Sequence, residues 1–297
     1  MKKATTATAY LLFGTLLWGM TFSFIKDAVG SMNAFNFLFW RYSIASLLLL
    51  LIFFKKIHLV NKKLILQGVW LGLLLGGTVI FQTIGLTSTT ASTASFITGL
   101  SVIMVPLYFC MLHKRWPAIN ITAAVGLTII GICLISLNSA LDVNRGDFWI
   151  LLCAICFSAY IIVTGKFSHS GHAFTLTFVQ SLTIAVIAGV INLFNKSFTI
   201  PVAMNLWVSI LFCAIFASIL ACYLQIRFQR YLTDTKTAII FALEPVFATL
   251  TAVVYLDENL TVKFLIGAGC IFAGMLLSEI KLKERSASVT HFEKEGE

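Results

Sequence analysis

Charge is scarce in this sequence: only 11% of its 297 residues are Asp, Glu, Lys or Arg, and proline occurs four times. A soluble chain needs charge to face water, typically about 25% of its residues. With 59% hydrophobic residues and a mean hydropathy of +0.95, a soluble catalytic or nucleic-acid-binding domain is excluded. Other absences narrow the reading further. No GxxxxGK[ST] loop is present, so direct use of ATP has no support. There is no HExxH, no cluster of metal ligands and no serine, histidine and acid set within the apolar stretches, which leaves an integral membrane enzyme as a remote alternative. Rings of like charge, which would signal a channel, are also missing. The seven cysteines are odd in number and lie in apolar stretches, so they read as small packing residues and not as a disulfide framework. Cys153 and Cys156 form a CxxC without a second ligand pair, too little for zinc. No metal and no cofactor is expected.

What the chain has instead is apolar length. Runs of about 20 residues, the span of a helix crossing roughly 30 Å of hydrocarbon, recur near 8–26, 34–54, 64–84, 92–112, 119–138, 147–167, 173–194, 205–226, 237–256 and 262–281. The first is no cleavable signal, since Trp18 and Gly19 sit inside it and no small-residue cleavage site follows. Positive charge gathers in cytoplasmic loops. If the N-terminus lies inside, 16 of the 21 Lys and Arg fall on the inner side and 4 outside, with Arg41 inside a span. Both termini are therefore expected in the cytoplasm, with the tail from Leu282 to Glu297 solvated and disordered.

The chain also repeats itself. Setting Pro106 over Pro245 aligns "GLSVIMVPLYFCML" with "IIFALEPVFATLTA"; further on, Gly126 falls over Gly269 and Gly131 over Gly274. The offset grows from 139 to 143 residues, as if the second copy held an extra turn. Each copy carries five helices, and an odd number forces the second to enter the membrane from the opposite side. The expected fold is an all-α polytopic membrane protein of ten transmembrane helices in two inverted five-helix repeats. Its units are residues 1–140, 141–283 and a tail of 284–297. Inverted repeats with a site between them are a common secondary-transporter architecture.

Five segments resemble the drug/metabolite transporter superfamily, specifically its EamA-type ten-helix bacterial members. They are "WGMTFSFIKDA" at 18–28, "FWRYSIASLLLL" at 39–50, "GLTSTTASTASFITGLSVIMVP" at 85–106, "GDFWILLCAICFSAYIIV" at 146–163 and "TKTAIIFALEPVFATLTAVVYLDENLT" at 235–261. The resemblance implies export or exchange of small organic solutes through a central cavity lined by helices 1, 3, 4, 6, 8 and 9, with Trp18, Gln82 and Tyr160 at cavity positions. The first half has "HKRWPA" at 113–118 where its mate has "LDENLT", so the acidic turn is single and Glu258 reads as a turn residue.

Polar groups at bilayer depth must face protein or water. Glu244 is the only charge between Thr237 and Leu256. One reading makes it a protonatable or cation-facing cavity group; the other has it satisfy carbonyls freed by Pro245. Pro106 and Gly99 supply the matching interruption in the first half, so Gly99, Pro106 and Pro245 are the expected kink or gating positions. Arg41 is read as structural or coupling, and at roughly 10 Å from Glu244 in height it is not expected to pair with it. Gln82, Gln180 and Gln225 lie within or at the end of spans, where each needs a partner across helices or a cavity. Substrate contact is thus expected from Trp18, Gln82, Tyr160, Gln225 and Glu244, and coupling or support from Arg41, Gln180 and Glu244. Gly68, Gly72 and Gly76, and separately Gly126, Gly131, Gly267, Gly269 and Gly274, are expected to let helices pack closely. The partners expected are a small solute, lipid and protons as coupling ion, with no nucleic acid, in a monomer or homodimer. The function expected is secondary active export or exchange of a small metabolite such as an amino acid across the cytoplasmic membrane. The alternative is proton-coupled import or exchange of a quaternary amine such as choline.

Overall fold

A computed structural model describes residues 2–54, 61–112, 114, 119–136, 144–170 and 172–279. The expected disordered tail of 284–297 and most of the "HKRWPA" turn lie outside the described residues. The first copy comprises α1 (Lys2–Val29), α2 (Ala34–Phe53), α3 (Lys62–Leu86), α4 (Ala91–Thr98), α5 (Ser101–Leu112) and α6 (Ile119–Ser136). The second comprises α7 (Arg145–Ser168), α8 (Ala173–Asn195), α9 (Met204–Phe212), α10 (Cys222–Phe228), α11 (Asp234–Phe241), α12 (Glu244–Leu256) and α13 (Val262–Glu279). Between α9 and α10, Cys213–Ala221 is wound as a π-helix. No strand occurs among the described residues.

Among the described residues, eight spans are long and apolar enough to cross a membrane, with α4 plus α5 and α11 plus α12 each forming one of them. The remaining two, α6 and α13, are shorter apolar helices that pack on one another, which gives ten in all. The helix starts are written locally. Asn33, Asn61, Thr90, Asn144 and Thr233 each cap a helix with a side-chain oxygen accepting a first-turn N–H, an acceptor that lipid cannot supply.

In both copies the fourth span is broken. The turns are Gly99–Leu100 and Ala242–Leu243, and they stand 143 residues apart (242 − 99), the same separation as Gly126 and Gly269. The register expected from the prolines is therefore corrected. No extra turn separates the copies, Ser101 matches Glu244, and α5 runs on through Pro106 without a second interruption. Pro245 explains the break in the second copy. Its ring would clash with the carbonyl four residues back, at Phe241, and α11 ends at Phe241. As the second residue of α12, Pro245 then sits where the missing N–H costs nothing.

Glycine governs the closest contacts. A Cβ on Gly131 would lie 2.6 Å from the Gly267 carbonyl oxygen, and one on Gly267 would lie 2.8 Å from the Gly131 oxygen, so α6 and α13 meet backbone to backbone. Gly68 and Gly72 press against the side chains of Val179 and Thr183 of α8. Gly126 and Gly269 do not act as expected, because nothing lies within 4 Å of where their Cβ would be.

Gly131→Val is expected to lower stability by about 1–3 kcal/mol through overpacking against backbone that cannot yield. Gly126→Ala, facing open space, should gain roughly 0.5–1 kcal/mol from helix propensity. Unfolding of the two purified variants in detergent, side by side with the parent, checks both signs.

Candidate functional site

The two breaks lie against each other. Gly99 has no side chain, and a Cβ there would meet Met275 and come within 3.1 Å of Pro245 Cγ. Gly19 does the same for α1, where a Cβ would fall 2.9 Å from the Glu244 carbonyl oxygen. Three backbones thus converge where α12 begins. The turns keep their own bonds by tightening: Leu100 N–H donates to Ile97 O (3.1 Å), Ile103 N–H to Leu100 O (2.9 Å) and Leu243 N–H to Ile240 O (3.2 Å). Such three-residue bonds are how a helix can end without stranding its polar groups.

Beside this junction is a cavity of about 30 Å³, room for water-sized occupants only. Trp18 and Thr21 of α1, Arg41 and Tyr42 of α2, and Leu75, Thr78, Val79 and Gln82 of α3 form one side; Thr98, Phe157, Cys222 and Glu244 form the other. The π-helical segment holds two of these groups. The Ala217 carbonyl, which already accepts the Cys222 N–H within the π-helix, also accepts the Trp18 Nε1–H at 3.3 Å. One residue on, Ser218 Oγ accepts Arg41 Nε–H at 2.9 Å. The aromatic wall is built edge to face: Trp18 lies 5.7 Å from Phe157 and 5.2 Å from Phe241, at interplanar angles of 79° and 67°.

An arginine and a glutamate line this cavity without meeting. Arg41 is 3% exposed and Glu244 5% exposed, so each has left water almost completely. The Arg41 guanidinium lies over the Tyr42 ring at 5.0 Å, and its Nη1 has no hydrogen-bond partner among the described residues. Glu244 accepts no hydrogen bond and has no ion pair among the described residues. It stands as first residue of α12, where the partial positive charge of the helix start favours a carboxylate.

Of the residues singled out from the sequence, the structure therefore gathers Trp18, Gln82, Glu244 and Arg41 on one cavity. Tyr160 and Gln225 do not line it. Tyr160 stacks behind Phe157 at 6.3 Å and donates its hydroxyl to Gln180 Oε1 at 3.2 Å. Gln225 donates to Gln229 Oε1 at 3.0 Å, and Gln229 in turn donates to the Ile161 carbonyl and Asp234 Oδ1. These amides tie α7, α8 and α10 together. Gly99 and Pro245 form the junction itself, whereas Pro106 lies seven residues beyond the first break. Tyr42, Phe157 and Thr98 were not foreseen. Tyr42 had a signal in its neighbour Arg41, while Phe157 is hidden among 26 phenylalanines.

At the lysine- and arginine-rich end, a vestibule of about 670 Å³ opens between α5, α7 and the turn before α11, lined by Tyr108, Lys166, His169, Thr233 and Asp234 among others. Partial burial raises the Asp234 carboxyl above its ordinary range. At the opposite end hydrogen bonds join the helix ends. Thr89 Oγ1–H donates to Asp147 Oδ1 at 2.5 Å, Asn144 Nδ2–H to the Ser88 carbonyl at 2.9 Å, and Lys26 Nζ to the Leu86 carbonyl at 2.8 Å.

Known proteins share this organisation. A model described as the EamA-like transporter family matches residues 5–137 and again 144–280, one match for each copy. An "Uncharacterized transporter" of Archaeoglobus fulgidus is 31% identical over 267 residues, covering 90% of this chain and 83% of its own length. The "Uncharacterized transporter YyaM" of Bacillus subtilis is 24% identical and covers 93% and 97%. A solved crystal structure superposes with a TM-score of 0.69 over 92% of this chain and 96% of its own at 16% identity, a likeness of fold. Both copies match, and the chain belongs to the EamA-like transporter family, a family of multi-pass membrane transporters.

Proposed function

We propose that this protein is a secondary active transporter working by alternating access, and that it exports or exchanges a small amphiphilic metabolite, an amino acid or a close relative, across the cytoplasmic membrane. The observation that carries this reading is the placing of an unpaired Arg41 and an unpaired Glu244 on one aromatic cavity. A buried charge without a partner is costly, so each gains when a solute brings the opposite charge. A carboxylate would meet Arg41 Nη1, an ammonium would meet Glu244, and an apolar side chain would lie against Trp18, Tyr42 and Phe157. Solute of this kind is recognised at both ends and in the middle.

The space now open holds no organic molecule, so binding must separate the helices around the junction. That requirement is what couples occupancy to movement: the carrier reorients around its solute instead of leaving a pore. Lacking a nucleotide loop, it draws energy from the solute gradients or from protons taken up at Glu244. The excess of Lys and Arg supports a cytoplasmic position for the vestibule end, with solute entering there. A quaternary amine remains the second reading, because aromatic faces beside a carboxylate attract such cations. The Arg41 cation in the same cavity weighs against it.

Counterflow in proteoliposomes loaded with single amino acids and with their decarboxylated amines tests this. Arg41→Gln is expected to raise KM for the amino acid by roughly 10- to 100-fold and to leave the amine nearly unaffected, the range set by a hydrogen bond to a charged group. Glu244→Gln should weaken both. If Arg41→Gln leaves the two solutes in their original ratio, the carboxylate assignment is wrong. Trp18→Phe keeps the wall but removes the bond to the Ala217 carbonyl. It should cost about 1 kcal/mol of stability with KM little changed, whereas Trp18→Ala should raise KM, which the same assay reads.

A further inference from the structure

Glu258 lies in the turn after α12 and its side chain crosses to the other copy. Oε1 accepts the Ala91 N–H at 2.7 Å; Oε2 accepts the Ser92 hydroxyl at 2.6 Å and the Ser92 N–H at 3.3 Å. Ala91 and Ser92 are the first residues of α4. The next donor, the Thr93 N–H, is taken by α4's own cap at Thr90 (3.1 Å). A carboxylate bonded to N–H groups at a helix start combines charge-assisted hydrogen bonds with the favourable end of the helix dipole. The backbone presenting Glu258 is fixed as well. Asp257 adopts a left-handed conformation (φ 52°, ψ 34°) that turns the chain back over α12, and the Glu258 N–H returns to the Ala252 carbonyl at 3.2 Å. Lys26 lies near enough to feel the Glu258 charge, and Tyr255 reaches Asp27 Oδ2 at 3.4 Å.

The held element is a lever. α4 is eight residues long; its far end puts Thr98 on the cavity and stops at the Gly99 break. Fixing its first turn to the second copy keeps the cavity closed toward the Glu258 end. The register of 143 places Arg115 opposite Glu258 in the first copy (258 − 115) and Asp234 opposite Ala91 (234 − 91). Asp234 begins α11, the counterpart of α4 in the second copy. The vestibule opens beside that helix start.

We infer that Glu258 is a gate-positioning residue: it clamps α4 across the two copies, and the clamp makes the state closed on the Glu258 face and open on the basic face the resting state of the carrier. Export follows naturally, since an empty carrier then waits open to the side from which solute is to be taken. This inference rests on the alternating-access reading but not on which solute is carried.

Cys222 lines the cavity and reports opening from either side. The native chain and Glu258→Gln would be labelled in oriented vesicles with a membrane-impermeant methanethiosulfonate, and Cys222 modification followed by peptide mass spectrometry. The variant is expected to label about tenfold faster from the Glu258 face, the equivalent of one charge-assisted bond lost, with slower labelling from the basic face and an unfolding temperature close to the parent's. Unchanged sidedness in a folded variant overturns the clamp. Should Glu258→Gln fail to fold, Ser92→Ala removes the hydroxyl donor and keeps the carboxylate. It should shift labelling in the same direction by a smaller factor, and no shift there overturns the clamp too. Loss of amino-acid counterflow in the native protein would instead strike only the solute assignment, because labelling needs no solute.

Discussion

A helix interrupted inside a bilayer leaves backbone donors and acceptors that lipid cannot satisfy, and this constraint shapes the whole centre of the molecule. Among the described residues there are two such interruptions, at Gly99–Leu100 and Ala242–Leu243, and the protein buries each against the other. The chain can afford the break at Ala242 because Pro245 forbids the alternative of continuing. It can bury both because Gly99 and Gly19 have no side chains to hold the backbones apart. The cavity follows from the same geometry, since four short half-helices meeting end to end cannot fill space as two continuous ones do.

Much of this could be read from residues alone, and the boundary of legibility has a physical cause. Apolar length, sidedness of charge and the odd helix number per copy depend on bulk partition into lipid, so composition suffices for them. The Glu244–Pro245 pair was legible because both residues are expensive where they stand. What escaped was geometry decided by tertiary fit. Matching proline to proline gives the wrong register, because Pro106 lies within α5 while Pro245 is the second residue of α12; the feature the two copies share is the turn and not the residue. The π-helical stretch "CAIFASILA" has no sequence signature at all. What it receives, the indole of Trp18 and the guanidinium of Arg41, comes from other helices. Tyr160 and Gln225 were legible as buried polar groups, yet burial alone does not say whether the partner is a solute or another side chain, and here it is Gln180 and Gln229.

Glu258 shows the same limit from the other direction. An acid after a helix end, next to Asp257 in a polar turn, has every local reason to face water. Its actual partners are 166 and 167 residues away in sequence, and only the folding of one copy onto the other brings them near. Asymmetry between otherwise related copies is where an inverted-repeat carrier can store a preference for one state, since a perfect repeat would be open equally to both sides.

The separation of Arg41 from Glu244 is the complementary device. Had the two met, their attraction would have offset part of the cost of burying each, but the product would be a filled and neutral core with little left to offer a solute. Instead Ser218 and Tyr42 hold the guanidinium on one side, and the start of α12 holds the carboxylate on the other. Each is supported enough to remain in place and incompletely enough to bind. Desolvation that would destabilise a static core is thereby converted into affinity for a molecule of matching charge, and the helices that must part to admit it are those whose breaks made the cavity.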